Sequence, residues 1–334
     1  MCASLAASSF AQETWHLVLT QGVLYGICGS IGYLPCILYM EQWFVRRKGL
    51  AYGIMWSGTG LGGFIIPLLL EAFLQKWGFR TTLRIWATAL FAIMLPATYY
   101  IKPRLPLSAM TRTKSYNLKF LLTKTFLLYQ SANIIEGIGY FLPAVYLPTY
   151  ARSVLSAGHF ASALTVILIN VASVFGVVIV GTLSDRLHPT TCILISTAGA
   201  VLGTFLLWGL AANLAVLYTF CIVYGFFAGS YISVWPAIMR HVADDFSAKE
   251  NWNSAASSGK SVFEPILIWG FLVAGRGIGN IASGPLSEAL IKGTPWRGQA
   301  AGGYGSGYGV LIAFTGVTAV IGGASFLWRR VGWM

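Results

Sequence analysis

About nine stretches of this chain are each long and apolar enough to cross a lipid bilayer as a helix, and that repetition restricts the fold more than any motif. The hydrocarbon layer is about 30 Å thick and a helix rises about 1.5 Å per residue, so one crossing takes about 20 mainly apolar residues. The runs fall near 16–41, 50–75, 84–101, 126–150, 160–183, 190–212, 214–239, 262–291 and 305–328. Strands of a membrane barrel would be half as long and would alternate in polarity. The expected fold is therefore all-α, a polytopic transmembrane helical bundle. Of the 334 residues 56% are hydrophobic and 10% charged, whereas a water-soluble domain carries about 25% charged residues. Lipid is the solvent such a chain requires.

The formal net charge of +12 invites a nucleic-acid reading, but the basic residues sit in short connections between apolar runs instead of on one polar face. Membrane orientation explains them. Consecutive spans reverse direction, so the connections form two sets. One holds fifteen Lys and Arg, among them Arg46, Arg47, Arg186, Arg240 and Arg329; the other holds six. The richer set is expected on the cytoplasmic side, with the C-terminus inside, the N-terminus outside and the plasma membrane as the location. Its longest member, 102–124, carries six basic residues and no acid. The expected organisation is a partial N-terminal bundle over 1–101, a basic cytoplasmic linker over 102–124 and a six-helix bundle over 125–334. Three spans before the linker and six after it suggest a six-plus-six parent whose first three helices are absent.

Two polar motifs interrupt the apolar pattern. Trp43 to Gly63 reads WFVRRKGLAYGIMWSGTGLGG, and Gly181 to Pro189 reads GTLSDRLHP. The first resembles the signature joining helices four and five in the monocarboxylate transporter family of the major facilitator superfamily, with Arg46, Arg47, Ala51 and Gly53 matching. The second is similar to the superfamily's short loop between the second and third helices of a half. That resemblance implies a gating task for Asp185 and Arg186 beside Gly181. Segments 133–151 and 275–290 are similar to fungal monocarboxylate permeases. The family's first-helix signature is absent, and the eighth helix lacks the Asp-Arg pair of mammalian carriers, having Asn170 amid uncharged residues. The resemblance implies a secondary transporter of a small organic anion, with the bilayer, the solute and a co-transported proton as partners.

Individual residues refine that expectation. Glu136 lies mid-run, where an ionisable group is costly unless it faces a cavity or partner; it is a candidate for proton or solute coupling. Arg276 has a guanidinium suited to a carboxylate, although near a helix end it would snorkel to the surface. Asn170 and Asn280 offer uncharged polar groups for packing or binding, while Tyr140, Tyr231 and Trp235 are candidates for lining a solute path near Pro and Gly bends. Gly58, Gly60 and Gly63 satisfy a dinucleotide pattern formally, but they lie inside a span. Gly58 and Gly62, four apart, and Gly53 are expected to pack against a neighbouring helix. Cys2, Cys28, Cys36, Cys192 and Cys221 are scattered, as are the four histidines; no metal, cofactor or enzymatic constellation is expected. Polar 241–261 and Gly-Tyr-rich 293–308 read as connections. A non-transporting truncated membrane protein, or a membrane receptor, is the competing reading.

Overall fold

The computed structural model describes residues 1–104, 118–254 and 266–333, with the backbone alone for 249–254. Residues 105–117 of the expected linker, and Lys249 and Lys260 of the basic set, lie outside the described side chains. Among the described residues every regular element is helical: α1 (Cys2–Ser8), α2 (Thr14–Trp43), α3 (48–77), α4 (79–100), α5 (Lys124–Tyr140), α6 (Leu142–Ser153), α7 (His159–Ser184), α8 (Pro189–Trp208), α9 (Leu214–Gly229), α10 (Trp235–Ser254), α11 (Ile266–Ile291), α12 (Gly309–Gly322) and α13 (Ser325–Arg330).

Seven continuous helical stretches among the described residues are long and apolar enough to cross a membrane. Two spans expected from the sequence are hidden in that number for physical reasons. Helices α3 and α4 run on as one, Lys48–Tyr100, but turn at Gly78, whose φ of 72° is open to a residue without a Cβ. The 126–150 run is broken instead at Phe141, just before Pro143 at the start of α6, into pieces too short to count singly. Helices α5 and α9 start on side-chain caps: Thr123 accepts from Phe126 N in α5, and Asn213 accepts from Val216 N at 3.0 Å in α9.

Two compact units emerge from the contacts, one comprising 1–46 and 65–113, the other 47–64 and 114–334. In the first, Arg84 donates to Ser9 at 3.1 Å, and Trp43 donates to the Lys102 carbonyl at 3.0 Å. The second is a bundle of α5 to α13 with residues 47–64 packed along α7. Here Gly53 lies so close that a Cβ would stand 2.6 Å from the Val177 carbonyl oxygen. A Cβ on Gly49 would strike the Gly181 carbonyl and the Ser184 hydroxyl. At the opposite end of α7, Tyr150, Trp208 and Phe220 form a buried aromatic core, and Tyr150 donates to the Ala211 carbonyl at 3.2 Å.

Two connections differ from expectation. The polar segment after 241 continues α10 as helix to Ser254; Phe246 and Val242 are buried along it, so one apolar stripe suffices to hold a helix whose other residues are polar. The second half of the segment 293–308 is packed, not loose: Gly302–Ser306 forms a tight turn, and Tyr304 donates to the Phe205 carbonyl at 2.9 Å.

Candidate functional site

Helix α5 carries a polar residue every three positions, Gln130, Asn133 and Glu136, on the side facing α11. Gln130 and Asn133 donate to the Phe271 and Leu272 carbonyls, each at 2.7 Å. Glu136 completes the row by pairing with Arg276. One guanidinium nitrogen donates to Glu136 Oε2, the other to Oε1 at 3.5 Å. The two side chains are 7% and 6% exposed, so this ion pair is buried in the bundle. Of the two readings of Arg276, snorkelling is the one this burial excludes: α11 carries the guanidinium inward, where Glu136 offers a countercharge.

Aromatic faces enclose the cation. Arg276 lies 4.4 Å from the ring centre of Tyr140 and 5.6 Å from that of Tyr231, distances at which the ring quadrupole attracts a cation. Tyr224 donates to the Tyr140 carbonyl at 2.9 Å and so fixes the bend where α5 ends. Beside Glu136 is a cavity of about 10 Å³, lined by Tyr140, Tyr224 and Tyr231 and by Ser196, Thr197 and Thr318. It has the size of one water and the polar partners a water needs.

Among the residues singled out in the sequence, Glu136, Tyr140, Tyr231 and Arg276 thus come together, on three helical segments. Trp235 follows four residues after Tyr231 and is buried, its ring edge-on to Trp269 at 5.3 Å. Asn280 is one turn past Arg276, its Oδ1 without a partner. Asn170 turns instead to its own helix, donating to the Val166 carbonyl at 2.9 Å. Tyr224, Thr197 and Trp269 were not singled out; Trp269, seven residues before Arg276, was findable, because that spacing puts both on one helical face.

A second polar cluster lies at the end of α7. The Asp185 carboxylate accepts from Gly49 N at 2.7 Å and Leu50 N at 3.0 Å, capping the N-terminus of α3. Those amides have no partners within their helix and present its positive dipole end, so a carboxylate satisfies both needs. Arg240 stands 3.7 Å from the same carboxylate and is 36% exposed. Arg46, Arg47 and Arg186 are exposed. Gly181 meets Gly49 directly, and the close packing along this seam falls on Gly49, Gly53, Gly60 and Gly63; a Cβ on Gly58 would meet nothing within 4 Å. Next along the chain, His188 caps α8 and its ring lies 4.7 Å from that of His241. Burial first, then His241 and Arg329, push the His188 imidazole down to about 4.

Long apolar helices, a buried ion pair among them and a carboxylate clasping a helix end define a polytopic membrane protein with a polar centre. Residues 1–263 match the Major Facilitator Superfamily, and the chain belongs to that family. It is 28% identical over 240 residues to MFS-type transporter 1 of Ophiocordyceps sp., covering 72% of this chain and 53% of the relative. It is 27% identical over 241 residues to the aspyridones efflux protein apdF of Emericella nidulans, covering 72% and 48%. With the MFS-type transporter hasB of Aspergillus fumigatus the identity is 26% over 337 residues, covering 96% and 69%. The chain therefore spans about half the length of the first two relatives and about two thirds of the third.

Proposed function

We propose that the chain acts in a secondary transporter that moves a small organic anion of the monocarboxylate kind, together with a proton, by alternating access. The observation that carries the proposal is the buried Glu136–Arg276 pair beside a small polar cavity. A low-dielectric interior tolerates this site only while it is close to neutral. Glu136 and Arg276 satisfy that condition when the site is empty of solute. A solute carboxylate that takes the guanidinium leaves Glu136 without a countercharge, and uptake of one proton by Glu136 restores neutrality. Anion and proton then travel together.

The Asp185 clasp supports a reading of the described conformation as closed at that end, which the basic-residue count assigns to the cytoplasm. Opening requires the 47–64 segment to part from α7, releasing Gly49 and Leu50 from Asp185, as in a rocking bundle. Transport measured in vesicles holding the protein tests the reading. Acid-driven uptake of a labelled monocarboxylate should disappear in Arg276→Lys and lose its pH dependence in Glu136→Gln. Uptake with an unchanged pH profile in Glu136→Gln would remove the coupling role.

A further inference from the structure

Between the ion pair and the Asp185 clasp lie two buried indoles whose N–H groups have no hydrogen-bond partner, those of Trp235 and Trp269. They are 1% and 2% exposed and their rings meet edge to face at 5.3 Å. Tyr52, from the segment that would move on opening, packs against Trp269 at 5.0 Å. An indole N–H is a donor only, so what satisfies it must accept. Buried donors are seldom left unpaired, and two together in a seam between moving parts call for a partner present at another stage of the cycle.

Trp269 precedes Arg276 by seven residues, which sets it about 10 Å along α11 on the same face. Aromatic faces occupy both ends of this stretch: Tyr140 and Tyr231 about the guanidinium, then Trp235, Trp269 and Tyr52. A two- or three-carbon acid would occupy the cation alone and leave those faces and both N–H groups unused. Resting on the anion site described above, we infer that the solute is a flat, conjugated organic acid. Its carboxylate pairs with Arg276, its planar body lies along the tyrosine and tryptophan rings, and an oxygen acceptor at its far end takes the Trp235 and Trp269 N–H groups.

Competition in vesicles tests this on the unaltered protein, with propionate, benzoate, 4-methoxybenzoate and 4-acetylbenzoate against a labelled acid that is carried. The para-substituted benzoates should compete about 10-fold better than benzoate, and benzoate better than propionate, the size expected for one well-made hydrogen bond and for ring burial. Trp269→Phe and Trp235→Phe keep a ring and remove the donor. Each should lower competition by the para-substituted acids more than competition by benzoate, so that all three aromatic acids compete equally within one variant. Propionate matching the aromatic acids, or para-substituted acids unaffected by both variants, overturns the inference. If either occurs while Arg276→Lys still abolishes transport of every acid, the anion site stands and only the assignment of solute class falls. If Arg276→Lys leaves all transport intact, both fall.

Discussion

Two ion pairs among the described residues of the bundle differ in the way that the proposed binding centre would have to differ from a clasp. Glu136 and Arg276 are both buried, one on α5 and the other on α11, and aromatic rings close round them. Asp185 and Arg240 are 9% and 36% exposed, and the acid spends its oxygens mainly on the backbone of another helix. Water screens the second pair, so it can form and break at small cost. It cannot screen the first. Separating those charges without replacing one of them is forbidding, and a centre that exchanges one partner for another has that property. The contrast is one of dielectric, not of residue type.

The largest effect should follow from removing half of the buried pair. Arg276→Met leaves the Glu136 carboxylate buried alone and should cost about 3–5 kcal/mol of stability, along with transport. Adding Glu136→Gln should recover most of the stability and none of the transport. Thermal unfolding in detergent reads the first quantity and vesicle uptake the second; a double variant as unstable as Arg276→Met would mean that the two charges are not coupled.

Next in size is the seam that the clasp secures. A Val at Gly53 would press on the Val177 carbonyl, 2.6 Å from the position of a Cβ, with Val178 Cα at 3.0 Å. Backbone cannot yield there, so Gly53→Val should hold the Asp185 end open, whereas Gly58→Val, with open space around it, should behave like the parent protein. Labelling of a cysteine placed at Ser184, which is buried beside the seam, would report the difference. Equal labelling in both variants would show that the seam does not control closure. Asp185→Asn should act the same way more weakly, by about 1 kcal/mol, since the amide still accepts one of the two N–H bonds without the charge.

Much of the all-helical fold was legible because lipid imposes a length and a composition on every span, and nine runs near 20 residues leave little choice. The breaks were harder. Phe141 and Gly78 differ in consequence, a split in one case and a turn within continuous helix in the other, since neighbours decide whether a bend is tolerated. Glu136 and Arg276 are each conspicuous as ionisable groups in apolar runs, yet no spacing in the sequence joins them. Their pairing joins positions 140 residues apart and depends on how α5 packs against α11, which periodicity within either helix does not encode. The same limit hid Asp185's partners: the motif marked the acid, whereas the amides of Gly49 and Leu50 carry no side-chain signal at all.

The smallest expected effect concerns pH at the exposed end of the bundle. His188 is held neutral between Thr190, whose hydroxyl is 2.9 Å from its Nδ1, and the ring of His241, with Arg329 adding positive charge nearby and Tyr129 bonded to His241 from α5. Arg240, Asp244 and Asp245 are carried on the same helix as His241, and Asp245 accepts from Thr125 at 2.7 Å. A histidine whose folded value is about 4, against about 6.5 when unfolded, stabilises the fold in full above pH 6.5. That contribution is lost progressively as pH falls from there towards 4, because the unfolded chain takes up the proton first. Melting measured between pH 7.5 and 4.5 should therefore decline, and His188→Gln should flatten part of the decline while lowering the pH 7.5 value through the weakened α8 cap. An unaltered slope in His188→Gln would locate the pH-sensitive element elsewhere in the bundle.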